Sequence, residues 1–441
     1  MLIIACFKKS VKYATVICLT NIVIITNIDN RKEEEYMILK IIYYILLLIV
    51  NIYSIYFVIT GIFTFKKSKK VKSSTKSNFF TILIPARNEE NVIANLIKSL
   101  QNQNYDREKY EIVVVLNNST DNTYEVAKAS KAKVYKCKNK ITSKGDALKE
   151  AFAKINDKKI DAYIVFDADN VVDKNFLKHM NDSLNSGYKV AQAFRDTKNA
   201  GDNWIANSYA IYYYIQNYFY NKARKNMNLS ASLNGTGFMV KKELLDEIGF
   251  NTKTMTEDIE LTGILAFNGV KIDFVEKAVT YDEQPTNFKI SWTQRKRWSK
   301  GSLQCAKEYG SKLLKQFFKT GNLSCIDIIM TYISPIIQII AFVGLILSLF
   351  VNVDHFNIIN IIYNYYLMNI HAGIIFYLAQ VLLCIYVLIY NKKSLKKFFS
   401  GALMFGLFMI TWIPINIIIL FQKKINWTHI PHDKSISIDE V

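Results

Sequence analysis

Apolar runs of membrane-spanning length bracket this chain and dictate its organisation. Ile41 to Phe65 is apolar and about long enough to cross a bilayer, and further apolar stretches lie near 327–351, 371–390 and 401–421. Residues 79–307 between them have the patterning of a water-facing domain. Composition agrees: of 441 residues, 51% are hydrophobic and 21% charged. The formal net charge is +19, and many lysines sit beside apolar runs, as in Lys66-Lys67-Ser68-Lys69-Lys70. That placement suits the positive-inside rule and anionic lipid headgroups, and it gives no reason to assign a nucleic-acid partner.

The expected organisation follows in order. Residues 1–36 are either an extra span or signal-anchor, or a mis-assigned start ahead of Met37, because the codons of Arg31-Lys32-Glu33-Glu34 are purine-rich. Residues 37–66 form a transmembrane helix ending at a cytoplasmic lysine cluster, which puts the 79–307 domain in the cytosol. The mixed basic and apolar stretch 308–325 reads as an interfacial amphipathic helix, 326–421 as transmembrane helices and 422–441 as a tail. The loop Lys392 to Lys397 should be cytoplasmic, whereas Lys423 and Lys424 leave the last span's orientation ambiguous. None of the six cysteines forms a CxxC pair, which argues against zinc, and His429 and His432 read as tail residues rather than ligands.

Within 79–307, strand-like runs at Phe79–Pro85, Glu111–Leu116, Lys133–Cys137 and Ala162–Phe166 alternate with helical stretches. This alternation predicts an α/β fold, a mostly parallel sheet with helices on both faces. In such sheets ligands bind outside the carboxyl ends of the strands. The loops Pro85–Glu89, Asn117–Asp121 and Asp167–Asn170 all fall at that edge.

Those loops carry the chemistry. Asp167-Ala168-Asp169 follows a buried strand, and carboxylates one residue apart there suit a hard divalent cation holding a diphosphate. Ser143-Lys144-Gly145-Asp146 places a lysine at a helix start, ready for phosphate or simply solvated. Asn234-Gly235-Thr236-Gly237 precedes a strand, where glycines serve a turn or a close approach to ligand. Thr256-Glu257-Asp258 opens a helix; Thr256 as N-cap and dipole-favoured acids would account for the composition, and a carboxylate there is also placed to take a proton. Gln294-Arg295-Lys296-Arg297-Trp298 offers cations and an indole for a phosphate and a sugar, or a basic helix on the membrane surface. The tyrosine-rich Tyr209–Tyr220 reads as packing in preference to a saccharide path.

In this order the motifs resemble glycosyltransferase family 2, in particular its membrane-bound branch of cellulose, chitin, hyaluronan and poly-N-acetylglucosamine synthases. The resemblance covers roughly 79–310. It implies a GT-A nucleotide-sugar-binding domain and an inverting, metal-dependent hexosyltransferase using Mg²⁺ or Mn²⁺. Pro85, Arg87, Glu89, Asn117, Lys144 and Asp167 would bind the donor nucleotide, and Asp169 the metal. Asp258, with Glu257 beside it, would be the catalytic base. Gly235, Thr236, Gln294, Arg295, Arg297 and Trp298 would face the acceptor and diphosphate. Asn117 departs from the aspartate usual at its position, which leaves the donor base less defined. The resemblance implies a UDP-sugar donor, with N-acetylglucosamine or glucose added to a growing β-linked saccharide in the cell membrane, and allows an accessory membrane subunit. The alternatives are transfer of a single sugar to a membrane lipid, or an inactive nucleotide-sugar-binding scaffold.

Overall fold

The computed structural model describes residues 34–68, 73–351, 358–422 and 432–441. The expectations for residues 1–33, for Lys69 to Lys72, for Lys423 and Lys424 and for His429 fall outside the described residues. The chain forms two compact units. Among the described residues, the smaller holds those from Glu34 to Ser54 with Ile340–His371; the larger holds Ile55–Ile339 and Ala372–Val441 and contains the whole sheet and every residue of the candidate site.

In chain order, α1 (Glu34–Phe65) leads to β1 (Phe80–Ala86), α2 (Ile93–Gln101), β2 (Tyr110–Leu116), α3 (Thr123–Ala129), β3 (Lys133–Lys136) and α4 (Lys144–Lys154). Then come β4 (Ala162–Val165), β5 (Val171–Val172), α5 (Phe176–Asn185), β6 (Val190–Thr197) and α6 (Trp204–Ile215). A π-helical segment, Gln216–Lys222, and α7 (Ala223–Asn226) precede β7 (Phe238–Lys241), α8 (Lys242–Ile248), α9 (Glu257–Phe267) and β8 (Ile272–Asp282). The 33-residue α10 (Phe288–Thr320) follows. Last are α11 (Leu323–Tyr332), α12 (Ser334–Val351), α13 (Ile358–Tyr390), α14 (Leu395–Ile410) and α15 (Trp412–Phe421).

The strands form one sheet in the order β3-β2-β1-β4-β7-β6-β8-β5. β1 to β4 pair in parallel, β7 is antiparallel to both β4 and β6, and β8 runs parallel to β6. Strand alternation builds an apolar layer on each face. Phe80, Ile82 and Ile84 pack with Leu96 and Ile97 of α2, while Leu83 packs with Val113, Leu148 of α4 and Tyr209 of α6.

Three described helices are long and apolar enough to cross a membrane: Glu34–Phe65, Gly373–Tyr390 and Leu395–Phe421. The run expected near 327–351 is not a straight span: Leu323–Tyr332 and Ser334–Ser348 meet at 55°, and together they would count as a fourth. The expected break at 307/308 also does not occur, because α10 continues until Gly321 (φ 69°) caps it in the left-handed region. These apolar helices mark the protein as membrane-associated.

Candidate active site

The strand ends assemble the predicted loops. Asn88 and Asn118 take positive φ just past β1 and β2 (58° and 49°), a conformation asparagine tolerates. The two loops are stitched together: Thr120 N–H donates to Asn88 Oδ1 at 2.8 Å and Glu90 N–H to Asp121 Oδ2 at 3.1 Å. Pro85 lies within β1 against Val115, and Arg87 is half-buried just beyond. Asn117 is half-buried at the end of β2, and its N–H donates to Ala86 O at 3.1 Å.

Lys144 is the hub of the acidic edge. Ser143 and Asp146 make a capping box that fixes the start of α4 and sets Lys144 on its first turn. Its Nζ donates to Asp167 Oδ1 at 2.5 Å and to Gly235 O at 2.6 Å, and lies 3.6 Å from Glu257 Oε1. Burial opposes its charge, yet Asp167, Glu257 and Asp258 outweigh that and hold its pKa above the usual lysine value. One ammonium thus gathers the motifs of β4, β7 and α9, a role beyond the phosphate contact expected of it.

Asp258 stands next to Gly235: a Cβ on that glycine (φ 88°) would lie 3.4 Å from Asp258 Oδ2. The half-buried Asp258 carboxyl is pushed up to about 7, first by burial and then by the charge of Glu257. Thr256, expected to cap α9, makes no side-chain cap bond. Its hydroxyl is instead buried without a hydrogen-bond partner among the described residues, and a Cβ at Gly301 would collide with it. The close crossing of α10 over Thr256 therefore locates α9.

Asp169 is buried, accepting from Asn170 Nδ2 at 3.1 Å and from Glu283 N–H at 3.1 Å. His432 is the tail residue expected, but the tail brings it to this carboxylate. His432 Nε2 lies 3.8 Å from Asp169 Oδ2, and its Nδ1 is 3.0 Å from Glu89 Oε2. Glu89, expected at the nucleotide, is buried under this tail residue. The tail is pinned further: Asp433 and Lys434 N–H both donate to the Glu283 carboxylate at 3.2 Å, and Lys434 Nζ is 3.2 Å from Asp202. Only long-range pairing brings His432 here, so local sequence carried no signal for it. Burial disfavours charge on the imidazole, but Asp169 and Glu89 push it up to about 10. The two carboxylates thus favour positive charge at the position the imidazole occupies. Among the described residues no three His, Cys, Asp or Glu side chains converge as a ready metal cluster, so oxygens of a bound diphosphate would have to complete the coordination.

Arg195 and its partner Asp282 were not anticipated. Arg195 of β6 donates through Nε to Asp282 Oδ2 at 2.8 Å and through Nη1 to Asn234 O at 2.7 Å, bracing the turn that carries Gly235 and Thr236. Thr236 is itself buried, its hydroxyl bonded to Asn170 and accepting from Asp167 N–H at 3.0 Å.

The α10 signature divides between two faces. Arg295 shares a buried row with Ser291, Ser299 and Ser302, spaced about one turn apart. Its guanidinium donates to Phe408 O at 3.0 Å and Thr411 Oγ1 at 2.7 Å, so it anchors the α14–α15 break instead of facing the acidic edge. Gln294, Arg297 and Trp298 are half-buried on the remaining face. Trp298 packs near Trp412 (6.2 Å between rings) and edge-on to Tyr209 (6.0 Å). The buried Tyr209, Tyr213 and Tyr214 behave as packing. Gln294 Oε1, both polar atoms of the Asn234 side chain and Trp412 Nε1 are buried without a hydrogen-bond partner among the described residues. Such groups normally find one.

A mixed sheet with this carboxylate edge is the GT-A class of nucleotide-sugar-binding folds. The chain belongs to glycosyltransferase family 2: the family model described as "Glycosyltransferase like family 2" matches residues 77–301. It is 29% identical over 362 residues to "Probable glycosyltransferase YdaM" of Bacillus subtilis, covering 78% of this chain and 82% of that protein. It is 31% identical over 246 residues to the "Beta-monoglucosyldiacylglycerol synthase" of a Nostoc species, covering 54% of this chain and 52% of that one. The "Poly-beta-1,6-N-acetyl-D-glucosamine synthase" of Staphylococcus aureus is 25% identical over 60% of this chain and 63% of its own length. The chain thus spans a little over half the length of these last two relatives. The fold matches that of a mannosyltransferase from Pyrobaculum calidifontis, solved with GDP-Man and Mn²⁺, with a TM-score of 0.58 and 15% identity over 88% of this chain and all of that one.

Proposed function

We propose that this protein moves a sugar from a UDP-sugar to an acceptor hydroxyl with inversion at the anomeric carbon, Asp258 taking the acceptor proton. The observation that carries the reading is the Asp258 carboxyl, raised to about 7 beside the open turn at Gly235. A base with that pKa is matched to proton abstraction near neutrality. Asp169 would hold Mg²⁺ or Mn²⁺, and His432 could join it only by giving up the proton that Asp169 and Glu89 now favour on its ring, Glu89 then fixing the imidazole's orientation as carboxylates do for ligating histidines. The metal, when bound, neutralises charge on the leaving diphosphate. Lys144 holds Asp167, and with it the donor edge, in place. Pro85, Arg87 and Asn117 border the nucleotide; asparagine can both donate to and accept from a base edge. Trp298, Gln294, Arg297 and the unpartnered Asn234 amide receive the acceptor, with Thr236 shaping the turn. Arg295 ties α10 to α14 and α15 through Nη1.

The product we favour is a β-linked saccharide of N-acetylglucosamine or glucose, made at the cell membrane with the catalytic domain in the cytosol. A second reading, a single transfer to a membrane lipid, is favoured by the position of Trp298 against Trp412 of an apolar helix and by the name of the Nostoc relative. Product analysis with purified protein and labelled UDP-sugars decides between them. A ladder of saccharide sizes supports the polymer, one chloroform-soluble glycolipid supports the lipid acceptor, and no labelled product defeats both.

A further inference from the structure

A cavity of about 450 Å³ lies where two apolar spans end. Its wall includes the residues that close α1, Thr64 to Ser68, and Tyr386 and Tyr390 from the last turns of the Gly373–Tyr390 span. Spans that end together place this cavity at headgroup depth, where tyrosine is favoured. Three of its side chains are the ammonium groups of Lys66, Lys67 and Lys222, and one is the carboxylate of Glu276. Cations therefore outnumber anions by two.

The site is built rather than incidental. Asn226 donates to Phe63 O at 2.9 Å and to Lys66 O at 2.7 Å and accepts from Ser68 Oγ at 2.7 Å, which fastens the lysine-bearing segment to the catalytic domain. Lys222 is buried, donating to Glu276 Oε1 and to Tyr390 Oη, each at 3.0 Å. Glu276 reaches it because β8 bulges: Val275 pairs with Ala193 but Val279 with Phe194, so residues 276–278 have no partners on β6. Tyr218, Phe219 and Lys222 come from the π-helical segment, a rare conformation that recurs at functional sites. That segment also clamps the catalytic domain, as Asn217 Nδ2 donates to Arg195 O at 2.8 Å.

We propose that this cavity binds the phosphate of an anionic phospholipid, its acyl chains running beside the Gly373–Tyr390 span. The proposal rests on the membrane association of the chain and not on the donor, acceptor or base assigned above. Lys66 and Lys67 meet the phosphate, Lys222 with its Glu276 partner forms the floor, and the tyrosine rings line the glycerol.

The test is native mass spectrometry of the detergent-purified full chain with dioleoylphosphatidylglycerol or dioleoylphosphatidylcholine. The anionic lipid should be retained about tenfold over the zwitterionic one, and Lys66→Gln with Lys67→Gln should lower its retention by about tenfold, given what each basic group contributes near an anionic surface. Lys222→Gln should lower it too, while the first pair, being exposed, leaves the fold intact. Equal retention of the two lipids would overturn the proposal, as would undiminished retention in the Lys66 and Lys67 double variant. Displacement of the lipid by millimolar glycerol 3-phosphate would equally overturn it, because the site would then be one for soluble phosphates.

Discussion

His432 Nε2 lies 3.8 Å from Asp169 Oδ2, while its other ring nitrogen sits 3.0 Å from Glu89. A residue from the chain's last ten thus lies beside a carboxylate at the end of β4. If these groups hold the cation, His432→Ala should weaken Mn²⁺ binding in the presence of UDP, and Glu89→Gln should weaken it by roughly 10–100-fold, the usual effect of removing a carboxylate that orients a ligand. Titration followed by the electron paramagnetic resonance of free Mn²⁺ checks both. Unchanged affinity in both variants would remove the tail from the metal site.

The raised Asp258 pKa has a definite sign. Burial and Glu257 favour the protonated acid, so the base form is lost as pH falls through about 7. Transfer rate should fall on the acid side with an apparent pKa near that value. Glu257→Gln removes the neighbouring negative charge and should move the inflection to lower pH. A pH–rate profile of both proteins tests this; an inflection in the variant at equal or higher pH contradicts it.

Lys144 lowers the Asp258 pKa, opposing Glu257, and carries a direct bond to Asp167. Lys144→Met should therefore shift the same inflection upward and weaken UDP-sugar binding. Isothermal titration and the pH profile report the two effects separately.

Gly301 allows α10 to cross Thr256 without a side chain between them. Gly301→Ala should cost about 1–3 kcal/mol in stability through overpacking and should depress turnover more than stability alone explains, because α9 carries Asp258. Thermal unfolding compared with the rate of UDP release on the same samples is the check.

Where short apolar runs end in polar loops, sequence and structure agree closely. β1, β2 and β4 fall within a residue or so of the expected runs, since each carries a mostly apolar, β-branched stretch such as Ile82-Leu83-Ile84 or Ile112-Val113-Val114-Val115. β6 was missed because it carries Gln192, Arg195 and Asp196 inside the domain, polar groups acceptable only when Asn234, Asp282 and Tyr214 satisfy them. The face of α10 that holds Arg295 was not legible either. Its basic residues read alike until α14 and α15 select one of them for burial. His432 belongs to the same group, since a lone histidine in a tail gains meaning only from the carboxylates that meet it.

The central claim is that Asp258 and a divalent cation drive sugar transfer from a UDP-sugar. Its most direct test is UDP release by detergent-purified protein with Mn²⁺ and a panel of UDP-sugars, comparing wild type, wild type with chelator, and Asp258→Asn. The account predicts release with at least one sugar, its loss on chelation, and a drop of about 10²–10⁴ in the variant, the usual worth of a general base, with UDP-sugar still bound. Turnover in Asp258→Asn within about tenfold of wild type, or release undiminished by chelation, would contradict it.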